Sequence, residues 1–158
     1  MTPEDIYKLV PNYIRNMERR SMERIEQLMG HYEGRIQSWD VVNESVGDWK
    51  RYRKARTGLA VWKTGRYGIM PGDYPLHALL DAKEAMTPRA DLCINEFDIG
   101  EDFRTQIGQL EAEGARISVV GCQMHIFNTN DCMRLAKGET KANWVGTPKT
   151  ISDRLDMM

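Results

Sequence analysis

Apolar residues recur at helical spacing from about Asn12 to Met29, where Ile14, Met17, Met22, Ile25 and Leu28 fall roughly on one face. Gly30 reads as the C-cap of that helix. The period then changes. Between Arg35 and Glu44, Ile36, Trp39, Val41 and Val42 supply the β-branched and aromatic content of a strand. A strand apolar on both faces suits a parallel sheet covered by helices. Leu76, Leu79, Leu80, Lys83 and Met86 mark a helix that Thr87-Pro88 ends. Asp91–Ile99 reads as a second strand, Asp102–Glu113 as a helix stopped by Gly114, and Ile117–Phe127 as a third strand. Thr147-Pro148 starts a last helix, and Thr2-Pro3-Glu4-Asp5 has the cap, proline and acids of a first one, which Pro11 interrupts. Ser45–Pro75 and Asn128–Gly146 read as loop. The first of these carries Trp49, Tyr52, Trp62, Tyr67 and Tyr74, aromatics that either stack on a sugar or pin the loop.

Helix and strand alternate, which predicts right-handed β-α-β units around a parallel sheet. Three strands in an open sheet leave both edges bare. Either more strand lies elsewhere or this is part of a larger barrel. The 158 residues suit a single domain, 1–158. A net charge of −1 and the lack of a basic block argue against nucleic acid as a partner; the cluster Lys50, Arg51, Arg53, Lys54 and Arg56 is a solvated face or a reader of acidic sugar substituents. No run is long enough to span a membrane, and acids follow the N-terminus at once, unlike a signal peptide. Cys93, Cys122 and Cys132 leave at least one thiol unpaired, and the first two read as small buried hydrophobes within strands. No metal-ligand spacing links them to His31, His77 or His125, so neither metal nor cofactor is expected.

The candidate chemistry sits at strand ends. Asn43-Glu44 closes the first strand, Asn95-Glu96 lies near the end of the second, and Gln123 and His125 share a side of the third by the two-residue period. In barrels of parallel strands, the strand ends carry the site. Glu44 is the leading candidate; the plain alternative is a carboxylate that caps a loop. His125 taken alone is equally a satisfied structural histidine. No Gly-rich phosphate loop follows any strand, which discourages a small doubly wound nucleotide-binding domain.

The run His31–Glu44, ending Trp39-Asp40-Val41-Val42-Asn43-Glu44, resembles the acid/base segment of family 10 glycoside hydrolases, the endo-β-1,4-xylanases. Asn95-Glu96-Phe97-Asp98 is similar to the family's fifth-strand signature, and Val120–His125 to its sixth strand. The resemblance implies an α/β fold, part of a TIM (β/α)8 barrel, from roughly its third helix to the start of its sixth helix. It implies a retaining two-carboxylate hydrolysis of β-1,4-xylan or xylooligosaccharide, with Glu44 as acid/base. Asn43 would bond the sugar hydroxyl, Gln123 and His125 would line the site, and Asn95 would be a further polar lining residue. The nucleophile belongs to a seventh strand, downstream of the helix beginning at Thr147. The barrel would then be completed by remaining segments or a second chain, and the 158-residue chain alone is expected to be inactive. Ile94–Ile99 also resembles the nucleophile motif, which would make Glu96 the second carboxylate; the order of Gln123 and His125 after it argues against that. The resemblance points to secretion or the periplasm. The alternative function is a carbohydrate-binding remnant of such a barrel that no longer cleaves.

Overall fold

Helix α1 spans Tyr13–His31. It runs past Gly30, which is helical, so the expected C-cap there is corrected. The last turn closes through backbone bonds, with the Tyr32 N–H donating to the Leu28 carbonyl at 3.1 Å. The chain reverses instead around Gly34, whose φ of 70° suits a residue without a Cβ. Strand β1 covers Ser38–Asn43, shorter than the Arg35–Glu44 expected, because Tyr32 to Arg35 are still in that turn.

Helix α2, Val46–Ala55, lies inside the segment read from sequence as loop. Trp49 anchors it, being 2% exposed and donating its indole N–H to the Gln109 Oε1 at 2.9 Å. A single buried tryptophan among Asp48, Lys50, Arg51 and Arg53 gives too weak a periodic signal to read in advance. Helix α3 spans Tyr74–Ala85, with Pro75 in its first turn. Strand β2 is Asp91–Glu96, and helix α4 is Glu101–Ala112, opened by the acids Glu101 and Asp102 at its positive end. Strand β3 is Val119–Cys122 and helix α5 is Pro148–Leu155. The computed structural model describes residue 5 and residues 8–55, 72–86, 90–123, 133–134, 136–138 and 148–156. Trp62, Tyr67, His125 and Cys132 lie outside the described residues, as do residues 2–4 of the expected first helix. Lys137 donates back to Met133, a helical turn within the expected irregular stretch.

The three strands form one parallel sheet in the order β1-β2-β3. Its two faces differ. Val42, Leu92 and Ile94 are buried against Met29 of α1, Trp49 of α2, Leu79 and Ala82 of α3, and Phe103 and Leu110 of α4. That cluster is the core among the described residues. On the opposite face, Ser38, Asp40, Asn43 and Asp91 are exposed, and Cys93 and Asn95 are half-buried. The expectation that β1 is apolar on both faces is thereby corrected. The reading of Cys93 as a small buried hydrophobe is corrected too, since it is a half-buried free thiol on the open face, whereas Cys122, also half-buried, packs against the core. Helices gathered on one face of a parallel sheet make an arc of a (β/α) barrel, with the uncovered face turned to the barrel's inside. Among the described residues no helix is long and apolar enough to cross a membrane.

Candidate active site

A bulge in β1 sets the site up. The register pairs Asp40 with Cys93, Val42 with Ile94 and Asn43 with Asn95, with an irregularity between Asp40 and Val42. Asp40 and Asn43 are three apart, yet they face partners two apart. A regular two-residue period puts them on opposite faces. The extra residue, Val41, brings both to the uncovered face and leaves Val42 in the core.

Glu44 follows at once with φ 55°, a left-handed conformation that costs a residue with a Cβ about 1 kcal/mol. Its backbone N–H donates to the Asn95 carbonyl at 2.8 Å, which extends the β1–β2 ladder by one bond before the chain turns away. The Gln123 N–H donates to the Glu96 carbonyl at 3.1 Å and does the same for β2 and β3.

The side chains then meet. The Gln123 amide donates to the Asn43 Oδ1 at 2.8 Å and to the Glu44 Oε1 at 3.0 Å. The Asn95 amide donates to the same Asn43 Oδ1 at 3.0 Å and to the Asp40 Oδ2 at 3.3 Å. Asn95 lies directly over Gly121, where an added Cβ would stand 3.0 Å from its Oδ1 and 3.1 Å from its Cβ. The missing side chain at Gly121 leaves that room. Asn43, Glu44, Asn95 and Gln123 therefore form one connected cluster at the C-terminal ends of three strands, with Asp40 behind it. Asp40 was not among the residues singled out from sequence; the bulge that brings it in has no local signature.

Glu96 is at the same end but turned the other way. It shares the covered face with Leu92 and Ile94 and is 2% exposed. One carboxylate oxygen accepts the Val46 N–H at 3.2 Å and the other the Phe97 N–H at 3.0 Å. Burial pushes its carboxyl above the ordinary value; those two N–H groups oppose the shift, and the nearby Glu44 charge adds to it. Beside it, the buried Gln106 amide donates to the Ser45 Oγ at 2.7 Å. These polar groups fix the turn from β1 into α2. On the other face, burial and then the Asp40 carboxylate raise the Cys93 thiol above its ordinary value, which favours the protonated form.

Glu18, Asp73 and His77 also come together, between α1 and the start of α3, a grouping that no spacing of the histidines shows.

A parallel arc with its polar cluster at the strands' C-terminal ends defines a barrel protein whose site is built on strand termini. The chain belongs to Glycosyl hydrolase family 10, whose profile matches residues 6–152. It is 34% identical over 110 residues to endo-1,4-beta-xylanase B of Thermotoga neapolitana, covering 66% of this chain and 29% of that one. Xylanase 10B of Thermotoga petrophila RKU-1, solved in complex with xylobiose, superposes with a TM-score of 0.51 at 28% identity, over 73% of this chain and 37% of that one. Xylanase B of Clostridium stercorarium F9 shares the fold at a TM-score of 0.54 and 24% identity, over 76% of this chain and 35% of that one. The fold is thus part of the barrel of this family. The chain spans less than a third of the length of the curated relatives it matches.

Proposed function

We propose that this chain is the acid/base-bearing part of a xylan-hydrolysing (β/α)8 barrel, residues 1–158 being one incomplete catalytic domain. The observation that carries the reading is the joint placement of Asn43, Glu44, Asn95 and Gln123 on the uncovered side of three parallel strand ends. The substrate is β-1,4-xylan or its oligosaccharides, in keeping with the xylanases it resembles. Glu44 protonates the departing sugar oxygen and later takes a proton from the attacking water. Asn43 bonds the hydroxyl next to the reacting carbon, Asn95 and Gln123 hold Asn43 and Glu44, and His125 orients the second carboxylate. A retaining reaction needs that carboxylate about 5–5.5 Å away. Glu96 does not supply it, because both of its oxygens are committed to backbone N–H groups on the covered face; the family resemblance gives that role to a seventh strand. The reaction proceeds outside the cell or in the periplasm, where a polymer too large to cross a membrane is met.

Two assays test the reading. Xylohexaose incubated with the 158-residue chain alone should release no reducing ends. Turnover there would give the nucleophile's role to Glu96 or another local acid. The same residues substituted for the matching segment of a family 10 xylanase should give an active barrel. Affinity for xylohexaose without cleavage in that barrel would favour a carbohydrate-binding remnant instead.

A further inference from the structure

Glu18 of α1 meets Asp73, the N-cap residue of α3, and His77 of that helix's first turn. Each offers one ligand atom, and these atoms all lie within 4.8 Å of one another. The His77 Nε2 is 3.4 Å from the Asp73 Oδ2. Asp73 and His77 are four residues apart, the spacing that puts side chains on one helical face. Glu18 is added by the packing of α1 against α3.

The surroundings are acidic. Charge from Glu18 and from Asp81 reaches His77, and charge from Glu26 and Glu84 reaches Asp81. Glu18 and Glu26 are eight residues apart on α1, and Asp81 lies one turn beyond His77 on α3, so each pair follows one helix face. Two helices therefore meet with carboxylates on both sides of the seam. Like charges there repel, and a bound cation removes the repulsion.

We propose that Glu18, Asp73 and His77 bind one divalent cation of the zinc class, which clamps α1 to α3. An imidazole nitrogen with two carboxylate oxygens suits zinc, cobalt or nickel, whereas calcium and magnesium take oxygen alone. Ligand atoms about 2.0–2.2 Å from a tetrahedral ion stand about 3.3–3.6 Å apart. The Asp73–His77 separation of 3.4 Å already meets that requirement. Rotation of the longer Glu18 side chain closes the rest, and water fills the fourth position. On binding, the His77 Nε2 releases any proton it shares with Asp73 and gives its lone pair to the metal. The clamp is separate from the sugar site and stands whether or not that site cleaves xylan.

The test is calorimetric titration of the metal-free 158-residue chain, its thiols alkylated, with zinc chloride. One equivalent should bind, with affinity at least tenfold weaker in His77→Ala and in Glu18→Gln. The zinc-dependent rise in Tm should vanish in both. Circular dichroism matching the parent chain establishes that each variant is folded. Absence of binding at about 1 mM zinc, or equal affinity in the parent and both variants, would overturn the site. Equal affinity for calcium would overturn the assignment to the zinc class.

Discussion

Glu44 and Glu96 end neighbouring strands, and their surroundings differ in kind. Glu44 stands on the uncovered face, half-buried, bonded to a movable amide from Gln123. Glu96 stands on the covered face, 2% exposed, bonded to two backbone N–H groups. Amide-to-carboxylate contacts between side chains rearrange when a ligand arrives. Backbone donors inside a core do not, and removing their acceptor leaves them unsatisfied. The same residue type therefore serves the fold on one face and is available for chemistry on the other.

The largest break in that comparison is Glu96→Ala. It leaves the N–H groups of Val46 and Phe97 without their acceptor and opens a space beside the Ser45–Gln106 pair, so chemical denaturation should show a loss of about 3 kcal/mol. Asn43→Ala, on the exposed face, should cost less than about 1 kcal/mol by the same measurement.

Gly121→Ala sharpens the comparison from the open side. The new methyl group meets Asn95 at about van der Waals overlap, which should cost about 1 kcal/mol and push the Asn95 amide off Asn43. Side-chain amide NMR shifts of Asn95 and Asn43 would report the displacement, with the Trp49 indole signal unmoved.

A pH series separates the two faces more gently. Glu96 is raised above its ordinary 4.5, so the folded state favours the protonated carboxyl. Its favourable contribution is present below pH 4.5 and is lost as pH rises through the folded value. Glu96→Gln should remove that part of the stability profile. The smallest expected effect is at His77. Its pKa is raised above 6.5, first by the Asp73 hydrogen bond, so its contribution is present below pH 6.5 and fades as pH rises through the folded value. In metal-free chain, His77→Ala should flatten the profile there slightly.

Much of this was legible along the chain. The helices α1, α3 and α4 followed from apolar spacing and from Thr87-Pro88 and Gly114 as punctuation, and the three strands from β-branched runs. The pairs at the strand ends could be named because chain order fixes which residues close each strand. Three things were hidden. Helix α2 depends on the long-range anchor Trp49–Gln109, sixty residues apart. The burial of Glu96 follows from the helices covering the face it shares with Leu92 and Ile94, which a carboxylate at a strand end does not declare. The bulge at Val41 changes the facing of Asn43 by one residue, and only pairing with β2 reveals it.

The most direct measurement compares two leaving groups in a barrel completed from a family 10 xylanase and carrying Glu44→Gln. A general acid matters most when the departing oxygen is basic. Hydrolysis of unactivated xylohexaose should fall by about 10²–10⁴, while a nitrophenyl xylobioside loses far less, with stability unchanged. Equal losses on both substrates, or full activity on xylohexaose, would contradict the role given to Glu44.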